Sequence, residues 1–340
     1  MFDRTALDQS QPSSRGSLAR AWVLACVANV LFGCAADSGE RVDPEQSKSA
    51  EAGAAAPAMV EQAASPKPAG PMTDAYAALV RADYDALPDL IARLDAEAEQ
   101  DPNNARVALY AGTMRLWYAT GGTRTLGQQF NDTLAAIKEL ERGRELAPRD
   151  AHLGAFLGVA QVAFGNTTGD EDRMQRGKQI LEESVPLYPS YLLGVLAQAL
   201  GMTPRKHPFF FEAADTIMAA FVKCGVDARE IETKKFTYIK QSSQGACWNG
   251  GVVAHLVEGI SLIAGDIFVK QGDVESGRLM YENAKVSPTY DRWLFGEELD
   301  RRIAEAEERA ALYEDEDPEN DPETWMEGSH LCVGCHANKR

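Results

Sequence analysis

Apolar residues recur at intervals of three and four along the chain between about Thr73 and Tyr313, which is the spacing of one face of an α-helix. Stretches in which apolar and polar residues alternate, as in half-buried β-strands, are missing from the same part of the chain. The pattern therefore predicts an all-α fold. The predicted helices cover residues 74–82, 87–99, 104–119, 129–146, 150–164, 171–186, 190–201, 208–224, 228–241, 250–271, 273–286 and 296–313.

Proline follows several of these segments at a similar place. It occurs in EQDP, ELAP, PLYP and KVSP, as Pro102, Pro148, Pro189 and Pro288. Proline cannot donate to the preceding turn of a helix or continue it, so each of these residues predicts a stop. The regular placement indicates a repeated pair of helices.

Three predicted second helices share a small residue, a large residue four positions later and another small residue three after that. The sets are Ala136/Leu140/Gly143, Gly177/Leu181/Ser184 and Gly277/Tyr281/Ala284, each followed by one of the prolines. Gly265 and Phe268 add a matching first helix to the last pair. This pattern resembles the tetratricopeptide repeat, in which small side chains let two helices cross closely. The resemblance implies stacked helical hairpins and a surface that binds a protein partner.

Two departures from the repeat pattern leave an alternative open. The segments TGGTRTLGQQFN and FGNTTGDEDRM predict long loops where a regular repeat has a tight turn. Regular superhelical spacing is therefore not predicted, and the repeats are expected to be irregular. An irregular α-bundle with coincidental small residues is the other interpretation.

The N-terminus has the features of an export signal. Arg4, Arg15 and Arg20 precede the uncharged run AWVLACVANVLF, which is too short to span a bilayer comfortably and suits a secretory signal peptide. The end of this run together with the next two residues, LFGC, resembles the bacterial lipobox, which implies that Cys34 is lipidated and becomes the first mature residue. Phe32 departs from the usual small residue of that motif, so ordinary signal peptidase cleavage nearby is the alternative.

We therefore expect a lipoprotein signal peptide over residues 1–33 and a lipid anchor with a disordered Ala/Pro/Glu-rich linker over 34–72. The helical-repeat domain follows over 73–313. The predicted location is the bacterial cell envelope, where the lipid holds the protein on a membrane and the body faces the periplasm. Ala35 after the cysteine resembles a sorting signal that favours the outer membrane.

The charge of the chain argues against one class of partner. Lys and Arg number 34 against 51 Asp and Glu, which gives a formal net charge of −17. Such a chain repels phosphate backbones, and no basic stripe occurs beyond the first twenty residues. Nucleic acid is therefore not an expected partner.

The C-terminus carries the one motif with specific chemistry. Cys332-x-x-Cys335-His336 has the spacing at which a c-type haem is attached. Two thiols at this spacing reach the two vinyl positions of the porphyrin, and the adjacent histidine supplies the proximal iron ligand. This attachment takes place outside the cytoplasm, in agreement with the export signal. We therefore predict one covalent haem c bound by Cys332, Cys335 and His336.

The sixth iron ligand and two rival uses of the cysteines stay open. Met326 or His330 is close enough in sequence to serve as the sixth ligand, and the body offers further histidines. A zinc site would recruit His330 together with the motif, but Cys335 and His336 can hardly both turn to one ion. A thioredoxin-like redox pair would need a strand before the motif, and none is predicted.

The segment that joins the body to the motif is strongly acidic. Residues 314–340 comprise EDEDPENDPE, which predicts a solvated linker rather than a calcium loop, and then the haem-binding tail. Only four residues follow His336, and Trp325, Met326 and Leu331 are the only apolar neighbours that could cover a haem. Either the body or a partner must therefore shield it.

Cys26 leaves with the signal peptide, and the two cysteines that remain, Cys224 and Cys247, would tend to pair in an oxidising envelope. Two separate buried thiols are the alternative.

Together these features predict an envelope lipoprotein without enzymatic activity that acts as an electron-transfer or redox-complex docking subunit. The alternative is a non-redox periplasmic scaffold or solute-binding lipoprotein. For that alternative the body weakly resembles the repeat-containing lipoproteins that accompany certain periplasmic solute transporters.

Overall fold

The computed structural model describes residues 70–120, 124–237, 255–315, 317 and 320–322. Within these residues the chain forms thirteen α-helices and no β-strand, which confirms the all-α prediction. The helices are α1 Pro71–Arg81, α2 Leu87–Gln100, α3 Ala105–Ala119, α4 Leu126–Leu146, α5 Ala151–Thr168, α6 Glu171–Ser184, α7 Pro189–Gly201, α8 Pro208–Lys223, α9 Ala228–Thr233, α10 Leu256–Gln271, α11 Val274–Asn283, α12 Gly296–Ala304 and α13 Ala306–Glu314.

Neighbouring helices pack as hairpins. The most extensive pairings are α3 with α4, α5 with α6, α7 with α8, and α10 with α11. The first helices α5, α7 and α10 are buried on nearly all sides, which explains why their sequences are apolar all round. At the C-terminal end α13 packs against α10 and α11, and α12 against α11.

The small residues lie where the two helices of a hairpin cross. A Cβ added to Gly112 of α3 would lie 2.6 Å from Cγ of Leu140, and one added to Gly158 of α5 would lie 2.5 Å from Cγ of Leu181. In the last hairpin an added Cβ on Gly265 would meet the ring of Tyr281. The predicted large residues therefore fill the space that these glycines leave open.

The prediction of two long loops was wrong where the structure describes them. Helix α5 continues to Thr168, and the hydroxyls of Thr167 and Thr168 donate to carbonyls four residues earlier, over 2.9 and 2.8 Å. Gly169, with φ of +72°, ends the helix, and Asp170 caps α6. A two-residue turn therefore joins α5 to α6.

The other expected loop is shorter than predicted as well. Thr125 forms a capping box with Gln128, so that α4 begins at Leu126 instead of at 129. Residues 121–123 of this loop lie outside the described part of the chain.

Two predicted helices also differ from the structure. The helix predicted over 228–241 ends at Thr233, because the chain turns at Lys234, with φ of 54°, to bring the buried Phe236 against α8 and α11. The backbone N–H of Phe236 donates to Oδ1 of Asn283 over 2.9 Å. The helix predicted over 296–313 is broken at Glu305 into α12 and α13.

Candidate functional site

The residues of the predicted haem site lie outside the described part of the chain. These are Cys332, Cys335 and His336, together with the possible sixth ligands Met326 and His330. Cys34, the predicted lipidation site, and Cys247 lie outside it as well. The structure does describe the place where the chain leaves the helical body towards the motif.

The exit of the tail is fixed by the last helix. Tyr313, near the end of α13, is 4% exposed, and its hydroxyl donates to the carbonyl oxygen of Pro322 over 2.5 Å. Burial raises the pKa of Tyr313, so the phenol is neutral and keeps its proton for this bond. Pro322 is therefore held against the body although the acidic segment before it is exposed.

The acidic segment closes a turn between α13 and Pro322. Oδ1 of Asp315 accepts from the backbone N–H of Asp317 over 2.9 Å, and Oδ2 accepts from the side-chain amide of Asn320 over 2.8 Å. These bonds, the backbone bond to Asp317 first, lower the pKa of Asp315. The described residues of this segment are largely exposed, as a solvated linker requires, but they are ordered by local hydrogen bonds.

A buried lysine connects the point where the tail leaves the body to the hairpin of α7 and α8. Nζ of Lys270, at the end of α10, donates to the carbonyl oxygens of Gly201 and Thr203 over 3.2 and 2.8 Å. The same ammonium group lies 5.2 Å from the ring centre of Phe210 in α8 and 5.6 Å from that of Tyr313. Helices α7, α8, α10 and α13 therefore meet at this side chain.

A second buried group of charges lies one helical turn earlier on α10. Asp266 is 1% exposed; its Oδ1 accepts from the hydroxyl of Tyr281 over 2.7 Å, and its Oδ2 pairs with the guanidinium of Arg302. A second guanidinium, that of Arg309, lies 3.6 Å from Oδ1. Asp266 therefore ties α12 and α13 to the last hairpin.

The pKa values in this cluster follow from burial. Burial raises the pKa of Asp266, and Arg302 and Arg309 oppose the rise. The pKa of Tyr281 is raised well above its usual value, first by burial and then by the Asp266 carboxylate. Glu298 is the second partner of Arg302. Burial raises the pKa of Glu298, but Arg302 and Arg301 outweigh this effect, so that its pKa is lowered overall. The cluster is a set of mutually satisfied charges inside the body.

Cys224 is the one predicted site residue that the structure places. It follows the last turn of α8, is 1% exposed and takes part in a disulfide bond. The other five cysteines of the chain, Cys247 among them, lie outside the described residues. The pairing of Cys224 with Cys247 therefore stays a prediction, whereas a free thiol at position 224 does not agree with the structure.

The three histidines of the body have structural contacts. In His207, Nδ1 accepts from the backbone N–H of Phe209 over 3.1 Å and Nε2 lies 3.2 Å from Glu171. His255 is fully buried, with Nδ1 3.0 Å from Glu258. Nδ1 of His152 lies 3.7 Å from Asp150, the residue that caps α5. An iron ligand taken from His207 or His255 would have to break one of these contacts.

Sequence reasoning missed the buried charges that position the tail exit. A signal for them is visible in hindsight, since Asp266 and Lys270 stand four residues apart in the otherwise apolar run ISLIAGDIFVK. Charged residues inside a helix that is apolar all round are buried and need partners. The sequence does not indicate that those partners are Arg302, Tyr281 and the carbonyls after α7.

Comparison with known proteins gives no family for this chain. No protein-family model matches it, and no curated protein is similar to it. Among the residues that the structure describes, no helix combines the length and the apolar character needed to cross a membrane. Over the same residues, no group of three or more histidine, cysteine, aspartate or glutamate side chains is arranged to hold a metal ion.

Proposed function

We propose that this protein is an envelope lipoprotein that carries one haem c on its C-terminal tail and acts as an electron-transfer or redox-complex docking subunit. The observation that carries this proposal is the motif of Cys332, Cys335 and His336 in a chain that begins with an export signal. Haem in such a site cycles between two oxidation states of iron, with His336 as the proximal ligand.

The N-terminus supports the compartment that the motif needs. The short apolar run ends two residues before Cys34, and an acyl chain on this cysteine would hold the protein at a membrane. Residues 35–69 would then act as the tether between that anchor and the body.

The helical body supports a docking role. Its hairpins pack side by side, an arrangement that presents a long surface built from successive units. The buried charges of the last hairpin are accounted for by contacts with one another, since Asp266 binds Arg302 and Tyr281. We therefore assign the redox chemistry to the tail and the recognition of a protein partner, a redox or envelope complex, to the surface of the body.

The first experiment tests the haem. The full chain is expressed with its signal in a bacterium that matures c-type cytochromes, and a denaturing gel is stained for haem. We expect a stained band for the native chain and none for Cys332→Ala/Cys335→Ala. Leu134→Ser is the control, because it changes an exposed side chain on α4, leaves the motif intact and should keep covalent haem in place.

Two results would contradict the proposal. One is the absence of covalent haem in the native chain, and the other is a band that persists after both motif cysteines are removed. Either result would favour the non-redox scaffold or solute-binding lipoprotein.

The second experiment tests the anchor. Fractionation of cells that express the native chain should recover the protein with membranes, and Cys34→Ser should release it or leave its signal uncleaved. A Cys34→Ser protein that still fractionates with membranes after signal cleavage would show that the cysteine carries no anchor.

A further inference from the structure

Helix α8 presents an apolar stripe to solvent. Phe211 is 65% exposed and Val222 is 53% exposed, the two highest values among the large apolar residues that the structure describes. Ala214 and Met218 lie between them and are partly exposed. The spacing of three, four and four residues places all four on one face of the helix, over a length of about 16 Å. We take this face as a candidate interaction site, because apolar side chains that share one exposed helix face are stabilised when another segment covers them.

The stripe lies on the flank of α8 that is turned away from the hairpin of α5 and α6. On the opposite flank, Glu212 lies 3.1 Å from the ammonium group of Lys178 in α6. Phe210, which precedes Phe211, faces Lys270 at the end of α10. The stripe therefore borders the side of the body on which α10 and α13 end.

The tail leaves the body on this same side. Pro322 is bonded to Tyr313, the ring of Tyr313 lies 5.6 Å from Nζ of Lys270, and this atom lies 5.2 Å from the ring of Phe210. These contacts place the start of the tail close to the first turn of α8, where the stripe begins. The chain end at Thr237 also lies beside α8, where Phe236 packs on Phe221 with ring centres 4.8 Å apart, but this contact is in the C-terminal half of the helix, whereas Phe211 lies in its first turn.

The length and chemistry of the tail suit the stripe. The eighteen residues after Pro322 include Trp325, Met326 and Leu331 as apolar side chains. Cys332 stands ten positions after Pro322, a stretch that reaches at most about 33–36 Å when fully extended. The tail is therefore long enough to follow the whole stripe, and a haem attached to it needs apolar cover that those three side chains do not supply alone.

We propose that residues 323–340 dock on α8 and that the stripe of Phe211, Ala214, Met218 and Val222 covers the apolar edge of the tail's haem. This inference rests on the proposed function for the haem itself, but the contact between tail and stripe is a separate claim. It makes the body the shield of the cofactor on one side and leaves the other side for a redox partner.

A photocross-link tests the contact. In the exported full chain, Phe211 is replaced by the photoreactive analogue p-benzoylphenylalanine, and after irradiation the linked peptides are identified by mass spectrometry. We expect cross-links to residues 323–340. The matched control is the same analogue at Leu134, which is 42% exposed on α4 in the first described hairpin, and it should give none to the tail.

Other cross-links would overturn the docking. These are links from position 211 only to residues 238–254, only to residues 35–69 or only to a second copy of the chain, or the absence of any link. A haem-stained band together with one of these results refutes the docking and leaves the haem proposal intact. Links to the tail in a chain that never acquires haem would support the docking and refute the haem.

A second measurement tests the shielding directly. Phe211→Ser/Val222→Ser should keep its covalent haem on a denaturing gel, but its reduced haem should react faster with oxygen than that of the native chain. Leu134→Ser should react at the native rate. Equal rates in all three proteins would show that the stripe does not cover the haem.

Discussion

Replacement of Gly265 by alanine tests a close helix crossing in the body, that of α10 and α11. An added Cβ would lie 2.7 Å from Cγ of Tyr281 and nearer still to Cδ1, which real Cβ atoms essentially never do. The ring cannot simply rotate away, because Tyr281 is fully buried and its hydroxyl is bonded to Asp266 over 2.7 Å. Alanine at position 265 therefore has to separate α10 from α11 or displace the ring from its partner.

The magnitude follows from three contributions. Overpacking of a well-packed core costs about 1–3 kcal/mol, and loss of a hydrogen bond to a charged group costs about 1.5–3 kcal/mol. The higher helix propensity of alanine offsets about 1 kcal/mol of this destabilisation. We therefore expect Gly265→Ala to lower the free energy of unfolding by roughly 1.5–5 kcal/mol.

Gly127 provides the control with the opposite sign. It lies exposed in the first turn of α4, and an added Cβ would meet nothing within 4 Å. Gly127→Ala should therefore raise the stability by about 0.5–1 kcal/mol. Urea unfolding followed by far-ultraviolet circular dichroism measures both variants. If Gly265→Ala is as stable as the native protein within about 0.5 kcal/mol, the tight crossing of α10 and α11 is wrong.

Three further predictions concern the charges and the tail exit. Arg302→Met leaves the buried carboxylate of Asp266 without its closest cation and should cost about 3–5 kcal/mol in urea unfolding. Arg301→Met, at a side chain that is 51% exposed, should change stability by less than about 1 kcal/mol. Equal effects of the two substitutions would contradict the burial of the Arg302–Asp266 ion pair. Tyr313→Phe loses the bond to Pro322, which costs about 1 kcal/mol, and limited proteolysis should cut the tail faster than in the native chain; an unchanged cleavage rate would mean that this bond does not hold the exit. Burial raises the pKa of Asp150, but its hydrogen bonds to the start of α5 outweigh this and hold the pKa below its ordinary value of 3.8. The contribution of Asp150 to stability is therefore full above about pH 4 and is lost as the pH falls further. Asp150→Asn should flatten the acid side of the profile of stability against pH, and an identical profile would count against the shift.

The sequence was sufficient to predict the hairpins because their crossings depend on local residue types. Gly177 lies against the backbone of Gly158 and Val162, and Gly277 against Gly265 and Val269, and this need for small residues at each crossing leaves a regular spacing in the chain. The prolines were informative for the same reason: α2 ends at Gln100 and α4 at Leu146, each two residues before a proline.

Features that depend on distant partners were not predictable. The polar residues of FGNTTGDEDRM suggest a loop, but α5 continues to Thr168 because Thr167 and Thr168 satisfy their own hydroxyls within the helix. A lysine or arginine on an amphipathic helix is usually solvated, so nothing local marks Arg302 as buried. Its burial depends on Asp266, which lies 36 residues earlier in the chain.

The buried charges explain why the tail leaves the body at a fixed place. Asp266 holds Arg302 and Arg309, and the helix that carries Arg309 also carries Tyr313, which binds Pro322. The start of the tail is therefore connected to the core of the last hairpin through α13, which is tied to Asp266 by Arg309 and to Pro322 by Tyr313. A freely swinging haem would need no such connection. Because the exit is held, the haem that we propose on the tail stays within the reach of Pro322, at most about 33–36 Å at Cys332, and we expect its redox partner to dock within that distance of α13.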